Sequence, residues 1–477
     1  MKEQKKVKML AWLDSPACAT GFAQVARGIL NYLASTGKYE ISIIGINDMG
    51  DWKDPIKFPY KIFPAMPGIS QRSDYYGRAR LVNAVLGTDK NLKPPFDLVF
   101  TINDPFILEQ PLEIFQKGTL EVLKDTQEVF KRKVPPSFWF KTVSYWPVDS
   151  AIKTNWIEKS IAMADYPVAY TKYGKEEIVK VDKHLQKPFG LDNMEVIYHG
   201  VNPKIFKPLS DEENKAFRAS FFEGAVKEET FLISVIARNQ SRKDLPRTLK
   251  IFSDFIRRRP NSFLYLHCQE TDAGGSLKEY ARNFPNLEYG KNWGCPGKFE
   301  ANQGFPIEAV NAIYNASDCI LSTSLGEGFG FYNSEGMATK TVVVGPNNTT
   351  TPELFGYDAK EDISDMETIY TKLRGVPVKS GSTSSEWTSF GPTDFERLRP
   401  VTNVDDAVKK LMWVYDNPDK VKEITERAYA YIQDFSWDKI GKQWDDFFQK
   451  VIVKLEEERA SYVSPKKDDT TEAPKKA

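Results

Sequence analysis

Residues 318–345, "DCILSTSLGEGFGFYNSEGMATKTVVVG", read as a strand, a glycine-rich loop, a short helix and a second strand. Both apolar runs are short and continuous, without the alternation of a sheet that has one wet face. Such strands are buried on both sides, as in a parallel sheet covered by helices. The loop carries Glu327 and Glu335 eight positions apart, with Gly326, Gly328 and Gly330 and the aromatics Phe329, Phe331 and Tyr332 in the interval. A core strand would not tolerate the carboxylates, and a plain surface loop has no need of the aromatics. In a doubly wound sheet the loop beyond a strand's carboxyl end is where ligands sit.

The same alternation runs outward in both directions. "VKMLAWL" is followed by a Gly-bearing turn, then by Phe22, Val25, Ala26, Ile29, Leu30 and Leu33 at helical spacing, with Gly37 placed to end the helix. "YEISIIGI", "FDLVFTI", "FWFKTVSYW" and "YPVAY" supply further strands. After a polar, proline-bearing connection the pattern restarts with "TFLISVIAR", a helix from about 246 to 259, "SFLYLHC", a helix near 306–316, "DCILSTS" and "TVVVG". This predicts two α/β units of like architecture without literal repeat, residues 1–207 and 208–435. A long amphipathic helix is expected over 436–462 and a disordered tail over 463–477. Residues 357–397 are the least regular stretch and read as a surface loop or insertion.

The bulk numbers exclude several classes. Lys+Arg and Asp+Glu are both 65, so no global field favours nucleic acid or anionic membrane. The apolar runs are strand-sized, short of the roughly 20 residues of a membrane span. The run "MLAWL" after the basic start is too short for a signal peptide, and the chain reads as cytoplasmic, with no stable membrane association. Four cysteines (Cys18, Cys268, Cys295, Cys319) form no CxxC, and only three histidines accompany them, which predicts neither disulfides nor structural zinc.

Three strand ends carry suspicious chemistry. "DSPACATGFAQ" puts Gly21 at the start of a helix, where small residues let backbone approach an anion, though GxGxxG is missing. "RNQSRKD" puts Arg238 and Lys243 where a diphosphate is the obvious counter-charge; the alternative is a solvated turn with Arg242 and Lys243 pointing outward. In "SLGEGFG" the backbone around Gly328, Phe329, Gly330 and Phe331 can approach a ligand, and Glu335 is expected in the first turn of the next helix. Asp149, in "SYWPVDS", ends a strand of the first unit facing the cleft. It reads equally as a ligand contact or, with Ser150, as a helix N-cap.

E-x7-E within "EGFGFYNSEGMATKTVVVG…TPE" resembles the signature of family 4 of the GT-B glycosyltransferases. "VIYHGVNPKIFKP", "IARNQSRKD", "IYNASDCILSTS", "YWPVDSAIKTNWIEKSIAMADYPVAYTKYGKEEI" and "FSWDKIGKQW" resemble other ordered motifs of that family, over roughly 7–455. The resemblance implies two Rossmann-like domains facing a central cleft, with the C-terminal helix crossing back to the first. It implies a retaining, metal-independent transfer from a nucleoside-diphosphate sugar, most simply a UDP-sugar, to an acceptor hydroxyl, with no further cofactor. Arg238 and Lys243 would neutralise the leaving diphosphate, Glu335 would hold the ribose and Glu327 the donor sugar. Backbone near Gly21 and Gly328–Gly330 would complete the anion site, and the acceptor proton would pass to the leaving phosphate oxygen.

The acceptor stays open between a glycan, a small molecule and a modified base in DNA, the last as in virus-type enzymes. Trp52, Tyr75, Tyr76, Trp139 and Trp146 are candidates for stacking on it. Other readings are a sugar-nucleotide epimerase, a phosphorylase and a non-catalytic nucleotide-sugar-binding module. The chain departs from the family pattern at His199, Asn202, Asp244, Gly336 and Lys340, and His199 reads as structural.

Overall fold

The computed structural model describes residues 5–48, 57–66, 74–118, 139–222, 224–299, 304–389, 394 and 397–461. Trp52, most of "FKRKVPPSFWFK" and the 463–477 tail lie outside them.

Two parallel sheets carry the fold. The first contains β1 (Val7–Asp14), β2 (Tyr39–Ile46), β3 (Lys61–Pro64), β4 (Leu98–Ile102), β5 (Lys141–Trp146), β6 (Tyr166–Ala169) and β7 (Glu195–Val196), in the order β3-β2-β1-β4-β5-β6-β7. The second contains β8 (Phe231–Ile236), β9 (Ser262–His267), β12 (Trp293–Gly294), β13 (Cys319–Leu321), β14 (Val343–Pro346) and β15 (Val376–Val378), in the order β12-β9-β8-β13-β14-β15. Each repeats the doubly wound order, so each has a crevice where the winding reverses, between β1 and β4 and between β8 and β13. Two small hairpins complete the strands: β10 (Thr271–Asp272) with β11 (Gly275–Ser276), and β16 (Trp387–Thr388) with β17 (Arg399–Pro400).

The apolar runs dictate this layering. Met9–Leu13 of β1 are sealed on both faces, and the Gly21–Ser35 helix packs Ala23, Val25, Ala26, Ile29, Leu30 and Leu33 against the sheet. Thr20 caps that helix by accepting from the Ala23 N–H at 3.1 Å.

The Trp437–Ser461 helix crosses back to the first sheet, as the resemblance implied. Trp444 is buried against Phe100 and Phe448, and Asp445 accepts from the Tyr39 hydroxyl at 2.7 Å. The crossing depends on absent side chains: a Cβ on Gly28 would lie 2.1 Å from the Trp437 ring, and one on Gly200 2.7 Å from it.

The 357–397 stretch is more than a surface loop. It includes the Met366–Lys372 helix, edge strand β15 and the first strand of the β16–β17 hairpin. Its end carries Asp394 and Arg397, which with Arg399 reach across to the first sheet's strand-end loop.

Candidate active site

The two crevices face one cleft of about 1730 Å³, lined from the first unit by Asp14, Gly21, Asp104 and Asp149 and from the second by Lys243 and Glu327. Every one of these stands at or just beyond the carboxyl end of a strand or opens the helix that follows, so the topology alone collects them.

The two loop glutamates are both sealed from water and electrostatically opposite. Glu327 receives Lys243 Nζ on Oε1 and Arg242 on Oε2 at 3.1 Å. Burial pushes its carboxyl up, but Lys243 and Arg242 more than offset this and hold it at about 2. Glu335 has no cation beside it among the described residues: Oε1 accepts from Gln24 at 2.8 Å and Oε2 from the Tyr314 hydroxyl at 2.7 Å. Burial therefore dominates, and its carboxyl rises to about 7. The helix after the loop, Phe331–Ala338, begins earlier than expected, so Glu335 lies beyond its first turn and is no capping group. Its contact with Gln24 ties the Gly21–Ser35 helix of one unit to the second unit.

Between the glutamates the backbone is exposed to the cleft. Gly330 has φ +80° and ends the loop at the helix N-terminus, a geometry that costs an L side chain about 1 kcal/mol or more. Among the described residues, the N–H groups of Gly328, Phe329 and Gly330 donate to no acceptor. Gly21 opens the facing helix, with only the Phe331 ring near the space a side chain would fill, at 3.9 Å. Two helix N-termini and a row of amides thus face the same space, which suits an anion. Phe329 and Phe331 wall it from behind by packing on His199, with centroids 4.5 and 5.2 Å from the imidazole. His199 is buried with neither ring nitrogen bonded, and burial holds it neutral, near 3.

The cations are distributed differently from the sequence expectation. Arg238 and Lys243 share no partner: Arg238 is half-exposed at the rim and forks onto Asp272 of β10, at 2.7 and 3.3 Å. The inner place belongs to Arg242, which binds Glu327, the Gly326 carbonyl and Asp149. The turn is therefore not solvated, and its second arginine is the one sequence reasoning missed.

Asp149 is no N-cap, since the next helix, Thr154–Lys159, begins after Lys153. It lies among three guanidinium groups: Arg242 at 3.2 Å, Arg397 at 3.1 Å and Arg399 at 3.3 Å. Burial raises its carboxyl, but these charges outweigh burial and leave it at about 2. Arg399 also donates to the Asp149 carbonyl at 3.0 Å, and Asp394 backs Arg397 and Arg399. This carbonyl abuts Gly326 so closely that a Cβ there would fall 2.0 Å from it. Arg397 and Arg399 left no sequence signal, because they follow a stretch with no recognisable motif. Of the stacking candidates, Trp146 is core, the Trp139 carbonyl is bonded under Arg459, and Tyr75 and Tyr76 line the cleft. Among the described residues no cluster of His, Cys, Asp and Glu has the makings of a metal site.

No protein-family model and no curated protein matches the chain. Solved structures do. Sucrose-phosphate synthase from Thermosynechococcus elongatus superposes with a TM-score of 0.64 at 14% identity, over 94% of this chain and all of that one. The fold is GT-B. A glycosyltransferase from Rickettsia africae gives 0.60 at 15% identity, over 94% of this chain and 99% of that one. Anabaena HepE in complex with UDP gives 0.58 at 13% identity, over 94% and 100%. In GT-B terms the contacts described above are interdomain ones: Gln24 with Glu335, and Asp149 with the three arginines.

Proposed function

We propose that the protein is a retaining, metal-independent glycosyltransferase that moves a sugar from a nucleoside-diphosphate sugar, most simply a UDP-sugar, to an acceptor hydroxyl. One observation carries this reading. In a GT-B cleft, two sealed glutamates of opposite electrostatic character flank a row of unbonded amides, with Lys243 and Arg242 beside them. HepE, of the same fold, is recorded with UDP and with UDP-glucose.

The roles follow from charge. Breaking the glycosyl–phosphate bond leaves negative charge on the diphosphate. The N–H groups of Gly328–Gly330, the helix start at Gly21, and Lys243, Arg242 and Arg238 stabilise it in a preorganised site. Arg238 lines the same cleft from the rim, where Asp272 holds it. Glu335, freed from Gln24, accepts from the ribose diol. Glu327, ionised at every physiological pH, accepts from the donor sugar's hydroxyls while keeping Lys243 in place. Phe329 and Phe331 fix the loop that carries both. Asp149 is a positioning residue that aims Arg242. The acceptor proton passes to the departing phosphate oxygen on the same face, so the chemistry asks for no protein base.

The test is a panel of UDP-, GDP- and ADP-sugars with EDTA present, read by thermal shift and released nucleoside diphosphate. A donor at a hundred times its Kd adds about 2.7 kcal/mol of stability. One donor shifting wild type but not Glu335→Ala supports the reading, and no shift with any donor refutes it.

A further inference from the structure

Among the described residues, Asp104 is the first-unit carboxylate lining the cleft that the fold leaves without a partner. Asp104 follows β4 at the winding reversal, directly ahead of Pro105, which opens the Pro105–Gly118 helix. An aspartate there ordinarily caps the helix by accepting from its first N–H groups. This one does not. Its backbone is fixed, with its N–H on the Asn103 side-chain oxygen at 2.9 Å and its carbonyl accepting from Ile107 at 3.0 Å. Among the described residues its carboxylate accepts no hydrogen bond and makes no ion pair.

The acids nearest the strand ends around it are partnered. Asp14 accepts from Thr20, Asp149 and Glu327 hold arginines or lysine, and Glu335 holds Gln24 and Tyr314. Asp104 is half-buried in the wall of the cleft, so its carboxylate stays accessible to a ligand that supplies donors.

The surroundings define the ligand. Asp104 lines the cleft with Tyr75, Tyr76, Phe106 and Trp156. Tyr75 is 43% exposed and meets Tyr76 edge-on at 5.2 Å, forming an aromatic lip. The charges that face Asp104 are Asp14, Asp149, Arg242 and Arg397. Both arginines are already held, Arg242 by Glu327 and Asp149 and Arg397 by Asp149, Ser150 and Asp394. An anionic group here meets three carboxylates at the ends of β1, β4 and β5. A neutral ring with a vicinal diol gives a carboxylate two O–H donors and offers its C–H face to the tyrosines.

We infer that Asp104, with the Tyr75–Tyr76 lip, is the acceptor-binding group of this cleft, and that the acceptor it takes is a neutral sugar presenting adjacent hydroxyls. The inference rests on the glycosyltransferase reading, whose acceptor it names, but it is tested by binding alone.

The experiment measures binding of methyl glycosides of glucose, galactose, mannose and N-acetylglucosamine, with glucose 6-phosphate as the anionic comparison, by saturation-transfer NMR on the full chain. Wild type, Asp104→Asn and Asp104→Ala are compared. Asp104→Asn is isosteric at a group that makes no bond, so the fold is kept; near-UV circular dichroism checks this. At least one glycoside is expected to bind wild type and to bind both variants tenfold or more weakly, with the sugar phosphate not binding. No glycoside binding, equal binding to the variants, or preference for the phosphate overturns the inference. Failure of the parent reading shows separately, as absence of a thermal shift with UDP-, GDP- and ADP-sugars in wild type.

Discussion

Replacing Glu335 by glutamine separates its structural cost from its binding role. Its carboxyl titrates at about 7 in the fold against an ordinary 4.5. The folded state therefore holds the proton more tightly than the unfolded chain, and stability falls as pH rises from 4.5 through 7. At about 1.4 kcal/mol per pH unit the difference amounts to about 3 kcal/mol, fully expressed above pH 8. Glutamine resembles the protonated acid in shape and charge, so Glu335→Gln is expected to match wild type near pH 5 and exceed it by about 3 kcal/mol at pH 8.5. For domains of this size that is a melting difference of about 6–10 °C. The amide presents an N–H to one of Gln24 and Tyr314, both donors, as the protonated acid presents its O–H, so the two proteins are even near pH 5. The assay is thermal unfolding of both proteins from pH 5 to 8.5, with and without the donor identified by the panel. The reasoning is refuted if the difference between the two proteins is flat with pH, or if the variant keeps the full donor-induced shift.

Other perturbations act on the paired cations and on packing. Asp149→Ala leaves Arg242 on Glu327 and Arg397 and Arg399 on Asp394 but removes the carboxylate that joins them across the two units, and should cost about 1–3 kcal/mol, visible as lower-temperature unfolding and a larger radius of gyration in solution scattering. Lys243→Met removes the closest counter-charge of Glu327, whose carboxyl is held low in the fold. The stability that Glu327 contributes is present above pH 4.5 and lost as pH falls toward 2, so the variant's acid-unfolding midpoint should move up, and nucleoside diphosphate should bind at least tenfold more weakly by calorimetry. Gly28→Ala drives a methyl into Trp437 and should cost about 1–3 kcal/mol in urea unfolding while leaving nucleotide contacts in place.

What was legible in the sequence, and what was not, follows from the range of the interactions concerned. The strands and the returning helix were readable because burial on both faces writes itself as local apolar runs. Glu327, Glu335, Gly21 and Lys243 were readable because a strand end followed by glycines is itself a local pattern. Arg242 was visible but ambiguous, since two adjacent cations look alike until the fold aims one inward. Asp104 looked like an ordinary residue before a proline, and only the absence of its capping bond singles it out. Three departures from the family pattern turn out to be backbone and packing matters. Asp244 and Lys340 stand at φ +48° and +58°, the backbone region that favours glycine, each held by an ion pair, with Arg247 and Glu426. At Gly336 a Cβ would meet Val343 at 2.6 Å, so the position excludes a side chain.

The 357–397 stretch was the hardest to read, and its end bears most directly on how the cleft is held. Asp394 orients Arg397 and Arg399, these grip Asp149 of the first unit, and Asp149 shares Arg242 with Glu327. With Lys243 also on Glu327, four cations meet three carboxylates along this chain of contacts, and Asp104 faces Arg242 and Arg397. On the proposed reading, a diphosphate arriving here would meet cations already paired and aimed, sharing Arg242 with Glu327 and Asp149 rather than neutralising free charges, which would lower the reorganisation required when charge develops on the leaving group. Binding there and the contact between the two units would then draw on one set of ion pairs.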